Sequence, residues 1–233
     1  MHVAGVDGCR SGWVVARLSA RSPTSLQLEQ VWVVADFASL LREVTEIELI
    51  GVDMPIGLPT AAARGGRLCE REARARLGPR RSSCVFSAPV RAALSAPDYP
   101  TALAIHRDSS SETIGLSKQV YFLFEKLRQV DAALTPAIQK RIREVHPELS
   151  FAAMNGGVAL APKKSAAGRA ARVDLLERHG LSPPPIPAGA QHDDLLDALA
   201  AGWSAARLAH GVGERLPHRP TRDARGLLME ISF

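Results

Sequence analysis

The sequence predicts an α/β fold: a mixed five-stranded sheet, with three antiparallel N-terminal strands and then parallel strands, flanked by helices and carrying an Arg-rich insertion. Three observations carry that expectation. Two short apolar runs, Val3-Ala4-Gly5-Val6 and Leu49-Ile50-Gly51-Val52, have the length and composition of strands covered on both faces. Each run ends in an aspartate, Asp7 and Asp53. Segments with helical spacing follow, the last an Ala/Leu-rich stretch that opens with Asp194 and Asp197.

Residues 3–7 read as the first strand. Gly8 to Gly12 are turn material, and Trp13 to Leu18 resume as a second strand. Leu26 to Val34, where Gln and Glu alternate with apolar residues, supplies the third. Asp36 caps a helix with Phe37, Leu40, Leu41 and Val44 on one face. Leu49 to Asp53 is expected to be a central parallel strand. From Pro59 to Pro100 the chain is rich in Arg, Ser, Pro and Ala, which suggests an insertion at about 59–110 within a single domain spanning 1–233. A short helix around Cys69 to Leu77 is ended by Gly78-Pro79, and Tyr99 to His106 is helical.

Farther along, Val120, Leu123, Leu127, Val130 and Leu134 recur at helical spacing, predicting one helix over Lys118 to Leu134. Arg143-Glu144-Val145-His146 reads as a strand stopped by Pro147. Gly168 to His179 is a helix ended by Gly180. Pro183-Pro184-Pro185 and Pro187 form a stiff link before the last helix, Asp193 to Ala209. Leu227 to Phe233 is a final short strand.

Composition bounds the function. The chain has 233 residues and is 46% hydrophobic, enough for a substantial core. No run approaches the roughly 18 apolar residues of a membrane span. The N-terminus reads as a strand rather than a signal peptide. Cys9, Cys69 and Cys84 form an odd set without a Cys-x-x-Cys pair, which suggests reduced thiols and a cytoplasmic protein with no membrane partner. The net charge of +5 and pI near 9.5 favour a polyanionic partner, nucleic acid among them.

The acidic residues are the chemistry-bearing pattern. Residues three apart share a helix face, about 4.5 Å apart along the axis, so Asp194 and Asp197 can point at one centre. Asp193, four before Asp197, faces the same way. Asp193 and Asp194 are also good capping residues after a proline link. Asp197, among Leu195, Leu196, Ala198 and Leu199, has no evident solvated face. Asp7 in Asp-Gly and Asp53 before Met54-Pro55 each have a turn explanation. In a parallel pair, however, both would sit at the C-terminal sheet edge, where α/β folds place ligands. A buried aspartate carries a desolvation cost, and a shared divalent cation, Mg²⁺ or Mn²⁺, is the simplest offset.

Glu148 would lie near the same edge, just past the strand that ends at Pro147. Glu144 and His146 share one strand face and could be an acid–base pair or a structural one. The Arg segment and Lys163-Lys164 could hold phosphates, or could be a solvated, partly ion-paired surface. Ser82, Ser83 and Ser87 have no local His–Asp arrangement, which argues against a serine hydrolase. There is no Walker loop and no Gly-x-Gly-x-x-Gly. Phe86 is the only aromatic beside the arginines, too little for a base-stacking platform.

Taken together, the motifs resemble a known family. They are Gly5-Val6-Asp7-Gly8-Cys9-Arg10-Ser11-Gly12-Trp13, Asp53-Met54-Pro55-Ile56-Gly57-Leu58-Pro59 and Arg80-Arg81-Ser82-Ser83-Cys84-Val85-Phe86. To these are added Glu144-Val145-His146-Pro147-Glu148 with Phe151, and Asp193-Asp194-Leu195-Leu196-Asp197-Ala198. The set is similar to the "predicted RNase H-like nuclease" family, domain of unknown function 429, and covers almost the whole chain. That resemblance implies an RNase H-like fold, distantly similar to the Holliday-junction resolvases. The resolvases also carry a strand-1 aspartate, an acidic residue ending strand 4 and an Asp-x-x-Asp pair opening a helix. Asp7, Asp53, Asp194 and Asp197 match that layout, with Asp53 where the resolvases usually carry glutamate. Glu148 and Arg80-Arg81-Ser82-Ser83 have no resolvase counterpart.

The implied function is a two-metal nuclease acting on DNA or RNA, with Mg²⁺ or Mn²⁺ as cofactor. Asp7, Asp53, Asp194 and Asp197 would be metal ligands. In that layout Asp7 bridges two ions, Asp53 and Asp197 each bind one, and Asp194 or Glu148 completes a shell or orients water. Arg10, Arg80, Arg81, Ser82, Ser83, Lys163 and Lys164 would hold the substrate. Two alternatives share the pattern: a nucleotide-binding ATPase or kinase-like protein with Gly8 to Gly12 at a phosphate, or a non-catalytic nucleic-acid-binding module. The former usually needs two such domains, more than this length holds.

Overall fold

The fold, described over residues 1–233 in a computed structural model, is organised by one five-stranded sheet. Its strands are β1 (His2–Cys9), β2 (Gly12–Ser22), β3 (Ser25–Val34), β4 (Leu49–Val52) and β5 (Ile142–Glu144), in the order β3-β2-β1-β4-β5. β1–β2 and β2–β3 pair antiparallel; β1–β4 and β4–β5 pair parallel. This is the RNase H-like arrangement. Two further strands, β6 (Arg215–Arg222) and β7 (Leu228–Ser232), form a separate ribbon joined to the main sheet by a bridge from Ser232 to Val145. The helices are α1 (Phe37–Glu43), α2 (Leu68–Leu77), α3 (Tyr99–Asp108), α4 (Lys118–Phe122), α5 (Phe124–Ala133), α6 (Pro147–Met154), α7 (Ala166–Arg178) and α8 (His192–Ala209). None is long and apolar enough to cross a membrane.

Strand periodicity decides which way the edge residues point. Ala4 and Val6 of β1, and Ile50 and Val52 of β4, belong to a core shared with α1 and α5. Val3 and Cys9 belong to the opposite core, which α8 fills. Successive side chains alternate across a strand, so Gly5 and Gly51 face α8, and Asp7 and Asp53, two residues further on, face the same way. The two glycines let the helix lie directly on the strands. A Cβ on Gly5 would stand 1.9 Å from Ala198 O and 2.1 Å from Gly202 N; one on Gly51 would stand 2.6 Å from Ala201 O. Because α8 runs back against the strands, Asp197, one turn before Ala201, lies over their C-terminal ends.

The Arg-rich segment is packed into the same body. Ala62, Ala88, Val90, Ala93, Leu94 and Ala102 join the largest core cluster. Arg67 fastens the segment to β5. Its guanidinium donates to Glu70 Oε1 at 2.6 Å, to Glu144 Oε1 at 2.6 Å and Oε2 at 2.9 Å, and to the carbonyl of Ile56 at 2.8 Å. All three charged side chains are buried, so the pairing is what makes their burial tolerable.

Several elements differ from the expectation. The helix expected over Lys118 to Leu134 divides at Leu123 into α4 and α5. The strand expected at Arg143–His146 is β5, which ends two residues earlier: Val145 still donates to Val52 O at 2.9 Å but also bridges to Ser232, and His146 caps α6. α6 was hidden because Pro147 to Ala152 are all buried, which leaves no amphipathic stripe to read. β6, with the sequence RLPHRPTR, was hidden by its prolines and charges. α8 begins at His192 behind Gln191, so neither Asp193 nor Asp194 is its N-cap residue.

Candidate metal centre

Asp7, Asp53 and Asp197 converge at the C-terminal edge of the sheet. One ligand oxygen from each lies within 4.8 Å of the others. The parallel ladder continues past β4 with Asp53 N donating to Val6 O at 2.9 Å, which sets the Asp7 and Asp53 backbones side by side. Asp7 Oδ1 accepts from Gly8 N at 2.8 Å, so one of its oxygens is fixed by its own hairpin. Asp7 and Asp197 are buried and Asp53 is partly exposed.

Electrostatics make the cluster demanding. Burial is the largest effect on all three carboxyls and pushes each above its ordinary value. Repulsion adds to it: Asp53, Asp197 and Asp194 raise Asp7, and Asp197 raises Asp53. Lys163 is the cation that offsets part of this, donating from Nζ to Asp197 Oδ2 at 2.7 Å. Burial opposes the Lys163 charge, but Asp197, Asp53 and Asp7 outweigh it and hold the ammonium well above its usual range. Hard oxygen donors, three negative charges and one compensating ammonium fit Mg²⁺ or Mn²⁺ and would not fit a soft, thiolate-seeking ion.

Asp194 stands beside this group, outside the three. Its Oδ2 accepts from Gln191 N at 2.8 Å, closing the first turn of α8. Its carboxyl is raised, by burial first, and it lies close enough to Asp7 to raise that residue too. Glu148, on α6, is taken up by arginines. Arg172 Nη2 donates to its Oε1 at 2.7 Å and its Oε2 at 2.8 Å, and Arg81 Nη2 reaches Oε1 at 2.7 Å. Glu148 still lies within electrostatic reach of Asp53 and Asp197.

The residues expected to hold the substrate divide by burial. Arg81 is buried on Glu148, whereas Arg80, Ser83, Lys164 and Arg10 are exposed and Ser82 is half-buried. Arg10 is in the two-residue turn of the β1–β2 hairpin, where Cys9 pairs with Gly12. Glu144 and His146 do not pair with each other. Glu144 is held by Arg67, and burial pushes its carboxyl up to about 7. His146 Nδ1 accepts from Glu148 N at 3.3 Å, while its Nε2 lies 3.3 Å from Cys84 O. That pattern requires the neutral ring with the proton on Nε2, in keeping with a pKa lowered by burial.

Arg172 and Arg67 are the residues that sequence reasoning missed. A signal for Arg172 was present: it precedes Leu176 by one turn on α7, so a charge sits on the apolar face. For Arg67 the i,i+3 spacing to Glu70 was the one local signal, and it does not reveal the pairing with the distant Glu144.

Comparison with known proteins bears on this arrangement. A family model described as "Protein of unknown function (DUF429)" matches residues 5–222. The chain belongs to the DUF429 family. That match contains Asp7, Asp53, Glu148, Asp194 and Asp197, so the candidate centre lies wholly within the DUF429 region. No curated protein matches the chain. Among solved structures, the Thermus thermophilus RuvC structure is similar at 14% identity, covering 91% of this DUF429 chain and 98% of its own, with a TM-score of 0.40. T. thermophilus RuvC in complex with Holliday junction substrate is similar at 13% identity, covering 91% and 97%, with a TM-score of 0.42.

Proposed function

We propose that this protein is a metal-dependent phosphodiesterase that hydrolyses DNA or RNA in the cytoplasm. The observation that carries the reading is the convergence of Asp7, Asp53 and Asp197 at one sheet edge. These residues would hold Mg²⁺ or Mn²⁺. Bound ions in such a centre supply activation of water and charge stabilisation of the leaving oxygen, the two-metal chemistry of phosphoryl hydrolysis.

The remaining residues act around that centre. Asp7, with one oxygen held by Gly8 N, would offer the other to an ion. Asp194 lends negative charge from the first turn of α8 and reinforces the pull on cations. Arg80, Ser82, Ser83 and Lys164, with Arg10 on the hairpin turn, take the phosphate backbone, consistent with the basic charge of the chain. Glu148 positions Arg81 toward the substrate, itself oriented by Arg172.

The test is cleavage of a panel of duplexes, hybrids, junctions and single strands with Mg²⁺ or Mn²⁺. Cleavage by the native protein and its loss in Asp7→Asn support the reading. A folded protein inert on the whole panel with both metals contradicts it.

A further inference from the structure

We infer that Lys163 takes the place of a second cation, so that the substrate-free centre binds one divalent ion rather than two. This rests on the metal-centre reading above and specifies its occupancy.

Charge sets the occupancy. Asp7, Asp53 and Asp197, ionised, carry three negative charges, with one oxygen of each within 4.8 Å of the others. Lys163 brings one positive charge onto Asp197 at 2.7 Å and acts on Asp53 and Asp7 as well. Over the three converging carboxylates and Lys163 the sum is two negative charges, which one divalent ion cancels; Asp194, tied to Gln191 N, lies outside that group. A second ion beside a retained ammonium would leave a net positive charge of two in a poorly solvated site, with cations repelling one another at close range. Two ions are accommodated when the lysine leaves.

The structure also shows how it can leave. Lys163 lies on the connection between α6 and α7, outside any helix or strand, and its side chain is 40% exposed although Asp197 is buried. The base of that connection is fixed. Ser165 N donates to Pro162 O at 3.0 Å, and a Cβ on Gly168 would stand 2.1 Å from the same carbonyl. The moving part is therefore the four-carbon side chain, which carries its charge on a flexible stem. Exposed Lys164 adjoins it in the chain, and Arg81 and Lys163 both lie near enough to Cys84 to act on its thiol. A phosphate arriving there offers Lys163 a new anion, and its departure frees Asp197 Oδ2.

The experiment is a Mn²⁺ titration of the full-length protein without nucleic acid, read by calorimetry and by the electron paramagnetic resonance of free Mn²⁺. Native protein and Lys163→Arg are expected to take one equivalent, and Lys163→Met two. Circular dichroism and unfolding midpoints confirm that each variant is folded. Two equivalents in the native protein, or one in both native and Lys163→Met, overturn the inference while leaving the metal centre standing. No Mn²⁺ bound by either would overturn the metal-centre reading together with the inference.

Discussion

Gly5 and Gly202 meet backbone to backbone: a Cβ on Gly5 would stand 2.1 Å from the amide nitrogen of Gly202. The contact seats α8 on β1, and with it Asp197 over Asp7. Replacing Gly5 with Ala forces the helix outward against backbone atoms that cannot yield. Overpacking of this kind costs about 1–3 kcal/mol, and more where the opposing atoms are backbone. Gly5→Ala should lower the urea midpoint sharply and weaken Mn²⁺ binding in whatever protein remains folded. An unchanged midpoint would refute the close approach.

Arg67 is expected to be the most sensitive residue of the Arg-rich segment. Its removal leaves Glu70 and Glu144 buried without their cation, a loss of about 3–5 kcal/mol. Arg67→Ala should therefore unfold at far lower denaturant than Arg80→Ala, whose side chain is exposed. Equal midpoints for the two variants would show that Arg67 is not the fastening described.

Asp194 and Asp197 separate capping from ligation. Asp194→Ala removes the bond to Gln191 N and should cost about 1 kcal/mol, as losses at helix starts do, while Mn²⁺ still binds. Asp197→Asn should abolish or strongly weaken Mn²⁺ binding. Calorimetry on the pair decides the matter, and the reverse pattern would make Asp194 the ligand.

Stability and metal binding should respond to pH in opposite senses. Burial raises Asp7 and Asp53 well above the ordinary 3.8, so without metal they favour the fold most when protonated. That contribution is complete below the unfolded-state value and is lost as pH climbs through the raised one. A divalent ion needs the ionised carboxylates, so its stabilisation grows over the same window. The rise in Tm on adding Mn²⁺ should thus increase across the range above the ordinary carboxyl value of 3.8, as pH climbs through the raised values. A constant increment across that range would speak against metal on these residues.

Surface charge makes a separate prediction. Arg80→Glu leaves the centre intact and should weaken nucleic-acid binding about equally across sequences, reducing the salt slope by about 1 or more. Unchanged affinity for a fluorescent oligonucleotide would remove Arg80 from the interface.

Much of this was legible in the sequence, for physical reasons that particular residues illustrate. The apolar runs ending in Asp7 and Asp53 were readable because a buried parallel strand needs an unbroken apolar core and cannot hide an aspartate except at its end. The expected antiparallel hairpin and helix cap at Asp36 were found, Asp36 Oδ1 accepting from Ser39 N at 2.8 Å. Asp197 stood out because α8 offers it no solvated face. The pairings of Glu148 with Arg172, of Arg67 with Glu144 and of Lys163 with Asp197 were not legible. They join residues from separate elements, and neither periodicity nor charge runs encode which arginine meets which carboxylate.

The most direct test of the metal centre is a crystal structure of the native protein soaked in Mn²⁺, read from the anomalous signal. A Mn²⁺ peak in contact with oxygens of Asp7, Asp53 and Asp197 is the expected result. Anomalous density absent from those carboxylates, or confined to other residues, would contradict it.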